Sequence, residues 1–230
     1  GISIGTVAMV ARRIGAQQYD EASEVTSQSL IFSLFAGIII GIIGFIFSGP
    51  VLKFMRTESY VFAMASQYLR ISFAGIFTVF FLITAGSALQ AAGDAKFPMK
   101  IMLLSNLLNL VMDPVFIFGF FIIPAGGVKG AAFATVLAQF ISCSVILWHM
   151  KNGISGISVK YTPFSIKIPI LTTLIKIGLP ASFQMLSRSL MSAVLMHIVT
   201  SFGTLATAAY GIGMRFHMIL LMPAFTIGNA

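Results

Sequence analysis

The chain has 230 residues, of which 58% are hydrophobic and 9% charged, with a mean hydropathy of +1.00. Soluble domains carry about a quarter charged residues, so this composition excludes a soluble globular fold and predicts an all-α polytopic membrane protein. The net charge of +8 does not argue for a nucleic-acid partner, because the Lys and Arg residues flank apolar runs, as orientation signals do; the single Cys143 excludes an internal disulfide.

The chain is expected to open mid-helix at Gly1 and reads as a fragment of a longer protein. Gly1 to Val10 is apolar but too short to span, and Arg12-Arg13-Ile14-Gly15 closes it. Gln17 to Glu24 reads as a polar loop carrying Asp20, Glu21 and Glu24. Ser27 to Phe47 has no charge and is long enough to cross a bilayer. Gly37, Gly41 and Gly44 form a small-residue stripe within it and predict close packing of another helix. Ser48-Gly49-Pro50 is expected to end this helix, with Lys53, Arg56 and Glu58 in the following loop. Ile71 to Ala92 is the next span, with Arg70 snorkelling at its mouth. Gly93 to Pro98 is a tight turn, with Pro98 placed to start a helix.

The apolar run from Ile101 to Ile123 contains Asp113, the one acid of this chain inside such a run. An ionisable group at membrane depth is costly and marks a functional site by default. Asn109 lies four residues earlier, on the same helix face. Pro114 has no N–H, so the Leu110 carbonyl loses its helical partner. An acid, an amide and a free carbonyl are oxygen ligands for a hard cation, and the acid can alternatively carry a proton. Pro124-Ala125-Gly126-Gly127 connects to a further span, Gly130 to Trp148, in which Thr135 and Gln139 are polar. Thr135 is a candidate partner of Asp113, and Gln139 reads as interhelical glue.

Residues 1–150 are thus read as one group of helices, 151–169 as a polar connecting loop and 170–230 as the start of a second group. Ile166 to Lys176 is expected to be a short interfacial amphipathic helix, followed by spans at Ile177–Phe202 and Thr204–Ala230. About six full spans and one partial span result. Gln184, Arg188 and Ser192 share a face of the Ile177 span, so Gln184 and Arg188 are candidates for lining a substrate cavity. Arg215 and His217 lie in the last span, and His197 near the end of its own. Among the flanking cations, eight lie on the side of Arg12, Lys96 and Lys151, and three on the side of Lys53, Arg56 and Lys129. This asymmetry places the first side in the cytoplasm. Asp113 is then roughly 15 Å deep from the outer face and Thr135 roughly 10 Å, close enough to meet if their faces agree. Ile2-Ser3-Ile4-Gly5 resembles Phe225-Thr226-Ile227-Gly228, a faint sign of two repeated halves.

Six segments in order resemble the multidrug and toxic compound extrusion (MATE) family. They are Gly5 to Ala16 (GTVAMVARRIGA), Leu89 to Met99 (LQAAGDAKFPM), Asn109 to Gly119 (NLVMDPVFIFG), Gly127 to Thr135 (GVKGAAFAT), Gly178 to Ala181 (GLPA) and Ala208 to Ile212 (AAYGI). The resemblance implies a two-bundle, twelve-helix fold, of which this chain holds the end of helix 2, helices 3 to 6, the inter-bundle loop and helices 7 and 8. It implies an antiporter in the cytoplasmic membrane, monomeric in full length. Organic, often cationic compounds leave in exchange for Na⁺ or H⁺, and no cofactor takes part. It places a coupling-cation site at Asn109, Asp113 and Thr135, with Na⁺ the only metal expected, and a further acid on helix 1, outside this chain. A lipid-linked saccharide flippase of the same superfamily is the alternative, ranked lower because only Arg188 and Arg215 are candidate cavity cations. An intramembrane enzyme is not expected, since no nucleophile–base or metal-cluster spacing stands near Asp113.

Overall fold

Apolar runs this long leave the backbone no partner but itself, and helices are the result. A computed structural model of the protein describes residues 1–54, 59–120, 124–153, 156–159 and 167–228. They form α1 (Ile2–Gly15), α2 (Tyr19–Phe54), α3 (Ser59–Ala91), α4 (Lys96–Phe118), α5 (Gly127–Lys151), α6 (Ile168–Ser201) and α7 (Thr204–Gly228). Among the described residues, α2 to α6 are long and apolar enough to cross a membrane, and Leu205–Leu221 of α7 is a shorter apolar stretch. The protein is an all-α, multi-pass membrane protein.

The helices outrun their apolar cores. The expected loop at Gln17–Glu24 is helix from Tyr19 onward. Asp20 and Glu21 suit a helix N-terminus electrostatically. Ser23, Thr26 and Ser27 turn their hydroxyls back to the carbonyls of Tyr19, Ala22 and Ser23. The expected stop at Pro50 is absent, since α2 continues to Phe54. α3 begins at Ser59, so Arg70 lies well inside the helix, its guanidinium 5.5 Å from the centre of the Phe45 ring. That contact is cation–π, with the side chain exposed. The separate amphipathic helix and its following span are one continuous helix, α6, that carries Pro180 internally. Nothing between Lys176 and Ile177 breaks a helix. Arg56, Glu58, Ile123, Lys160 and Ile166 lie outside the described residues.

Two compact units divide the chain, Gly1–Leu179 and Pro180–Ala230. In the first, α3 is central, touching α1, α2, α4 and α5. Leu30, Ala85, Ala88, Leu89, Ile101, Ile146 and Met150 from four helices form its core. Small residues set the spacing, because lipid gives helices no hydrophobic reason to associate and backbone approach supplies the van der Waals gain instead. A Cβ on Gly37 would stand 2.7 Å from Phe77 Cα, and one on Gly41 2.7 Å from the Phe73 carbonyl oxygen. The glycine stripe thus seats α3 directly on α2. Ile157, fully buried with Val10, Ala22 and Val25, fastens part of the segment after α5 against α1 and α2. The Ser158 N–H donates to Ser23 Oγ at 3.2 Å, Lys167 N–H donates to Gln28 Oε1 at 3.2 Å, and the Lys167 ammonium pairs with Glu24. The second unit holds the rest of α6 and α7.

Gly41→Val pushes backbone against backbone and is expected to destabilise the α2–α3 pair by about 1–3 kcal/mol. The midpoint of SDS-induced unfolding should fall accordingly, whereas Gly49→Val, where a Cβ meets nothing within 4 Å, should leave it in place.

Candidate cation site

Helix α4 carries Asn109 and Asp113 one turn apart, and α5 carries Thr135. The structure brings all three together. Asn109 Nδ2 donates to Asp113 Oδ1 at 3.2 Å and to Thr135 Oγ1 at 3.0 Å. The Thr135 hydroxyl in turn donates to the Ala131 carbonyl at 3.0 Å. Thr135 thus bonds back along its own helix and faces the acid–amide pair. All three residues are partly buried.

The hairpin joining α4 to α5 explains why their faces agree. Pro114 lies inside α4, one residue beyond Asp113. The Phe116 carbonyl accepts the Gly126 N–H at 3.0 Å. A Cβ on Gly130 would stand 2.0 Å from that same oxygen, so only glycine admits the approach. The Phe116 and Phe133 rings meet edge to face at 5.2 Å between centres. The start of α5 is thereby locked to the last turns of α4, and Thr135, five residues past Gly130, faces Asn109.

Gln139 lies one turn further along α5 and points to α3, where its Oε1 accepts the Thr78 hydroxyl at 2.8 Å. Thr78 is fully buried, and its single hydroxyl proton is shared between Gln139 Oε1 and the Gly75 carbonyl. Gln139 is the interhelical glue it was read as. Gln184 and Arg188 lie on α6 in the second unit, and both are exposed.

Chemically, the trio offers a carboxylate, an amide and a hydroxyl at one point. As oriented, the amide nitrogen donates to Asp113 Oδ1 and to Thr135 Oγ1, giving the carboxylate one uncharged donor. The amide can also turn its oxygen inward, and the site then presents only oxygens, a set that suits a hard cation or a carboxyl proton. His149 was not singled out in the sequence. It is buried at the last turn of α5, and its Nε2 stands 3.6 Å from Asp94 Oδ2.

Comparison with known proteins agrees with this architecture. The family model MatE matches residues 1–115 and 180–230. The probable multidrug resistance protein YoeA of Bacillus subtilis is 29% identical over 233 residues, covering 100% of this chain and 50% of YoeA. The multidrug export protein MepA of Staphylococcus aureus (strain MRSA252) is 29% identical over 216 residues, 94% of this chain and 46% of MepA. A crystal structure of MATE in complex with MaD3S superposes with a TM-score of 0.87 at 30% identity, over 97% of this chain and 50% of that one. The chain spans about half the length of the curated relatives it matches. The match to the family model covers well over half of its residues, and the chain belongs to the MatE family of membrane transporters.

Proposed function

We propose that the full protein is a cation-coupled antiporter exporting organic, often cationic compounds, and that Asn109, Asp113 and Thr135 form part of its coupling-cation site. One observation carries this reading: the Asn109 amide donates to Asp113 and Thr135 together, gathering an amide and a hydroxyl at the one acid inside an apolar run. The names of YoeA and MepA support multidrug export as the activity.

In this reading, a cation arriving from the outer side displaces the amide N–H groups. Asn109 turns its oxygen toward the ion, and Asp113 supplies the charge. Na⁺ takes the oxygens directly, whereas H⁺ makes Asp113 a donor to the turned amide. Either event removes the Asn109–Thr135 hydrogen bond that ties α4 to α5 just before Pro114. Pro114 leaves the Leu110 carbonyl unpartnered along the helix, so bending there costs little. Drug release follows when the bent state binds drug more weakly, the differential affinity being the energetic link between ion and drug. Gln184 and Arg188 on α6 are the residues offered for the substrate cavity. The lipid-linked saccharide alternative rests on Arg188 and Arg215 alone, both exposed, and no further observation favours it.

Asp113→Asn in the full-length protein is expected to abolish efflux driven by an imposed Na⁺ or pH gradient while membrane abundance holds. Efflux at wild-type rate in vesicles would sink the reading, and imposing the two gradients separately identifies the ion. Thr135→Val removes one interhelical hydrogen bond and should cost about 0.6–1.7 kcal/mol, seen as an earlier SDS-unfolding midpoint, with weakened cation dependence of efflux.

A further inference from the structure

At the Lys-rich end of the first unit, the end of α3, the start of α4 and the end of α5 meet in a cluster of three side chains. Gly93, with φ of 94°, turns the chain after α3, and the Asp94 N–H closes onto the Leu89 carbonyl at 2.9 Å. Asp94 Oδ1 then accepts the Phe97 N–H at 3.0 Å and caps the first turn of α4. Its other oxygen lies 3.6 Å from His149 Nε2. The imidazole stacks face to face on Phe97, with 3.5 Å between ring centres and 10° between planes. His149 is only 7% exposed, at a helix end where burial of a polar ring needs a purpose. Phe97 in turn packs on the four-helix core.

Beyond this cluster α4 leans away from α3. A cavity of about 490 Å³ opens between them, lined among others by Gln90, Pro98, Met102 and Asn106. From Met99 to Asp113 the helix contains neither glycine nor a second proline. It behaves as a rod, and Asn109 sits twelve residues past Phe97, roughly 18 Å along it. A tilt of about 5° at the cluster moves Asn109 by roughly 1.6 Å over that length. Such a shift breaks a hydrogen bond of 3.0 Å.

We propose that Asp94, Phe97 and His149 are positioning residues for the cation site: they fix the setting of α4 against α5 so that the Asn109 amide, already on Asp113 along its own helix, also reaches Thr135. The inference rests on the coupling role given to that trio. Asp94 acts twice, once through the cap and once through His149. Replacing His149 removes both the stack and the second contact. The trio itself keeps every atom.

The test uses the full-length protein in vesicles. His149→Ala is expected to raise the cation concentration for half-maximal efflux about threefold to eighteenfold, the span set by one interhelical hydrogen bond in a membrane protein. The maximal rate per transporter should change less than twofold. His149→Phe keeps a flat ring on Phe97 and should fall between His149→Ala and wild type. A merely structural role would lower the amount of folded transporter and leave half-saturation alone. Spin labels at the exposed positions Leu110 and Phe140, with Cys143→Ala, read the α4–α5 setting directly. His149→Ala should shift or broaden their distance distribution. An unchanged distribution overturns the inference, as does an unchanged half-saturation beside an Asp113→Asn variant that has lost coupling. Where Asp113→Asn itself retains wild-type coupled efflux, the coupling reading falls instead, and the spin-label distance alone decides the positioning.

Discussion

One amide holds two helices to one acid. Asn109 is the only group that touches both Asp113 and Thr135 among the described contacts, and the partly buried carboxylate depends on it for a donor. A charged acid in a span is expensive, and an amide four residues away on the same face is the cheapest local remedy the helix offers. The remedy is incomplete, because a neutral amide offsets only part of the cost of a carboxylate. In the proposed function, that remaining cost is what an incoming cation would relieve. The Gly126–Phe116 hairpin, Pro114 and the Asp94–Phe97–His149 cluster all bear on whether this amide stays in reach.

The spans were legible in the sequence because apolar runs without charge have no other stable form in lipid. Their ends were not. Tyr19–Glu24 is helical yet polar, and Ser59–Arg70 is helical with Ser66, Gln67 and Arg70 interrupting its apolar residues; a helix already started needs no unbroken apolar run to continue. Pro50 reads as a stop in the sequence, yet it stands inside a longer helix, as Pro180 does in α6. A proline removes one hydrogen bond, and packing on both sides of it can tolerate the loss.

At the site, residue type and spacing were visible: the acid, the amide at four residues, the proline and a threonine at similar depth. The rotation of α5 about its axis was not. It is set by Gly130 lying against the Phe116 carbonyl and by Gln139 meeting Thr78, neither of which has a sequence signature of its own. His149 escaped for a similar reason. A lone histidine at a helix end carries no pattern, and the available signal was only that Asp94 and His149 both border the same Lys-rich side of the chain.

The approach of Gly130 to the Phe116 carbonyl has an evolutionary consequence. The contact is made by backbone atoms and by the lack of a Cβ, so its geometry is independent of the Phe116 side chain. A change of the Phe116 side chain leaves this backbone contact open, whereas any residue but glycine at position 130 closes it. Loss of the glycine alone, in an otherwise unchanged chain, parts the two helices. Tolerance and intolerance to change therefore sit within a few ångströms of each other, divided between side chain and main chain.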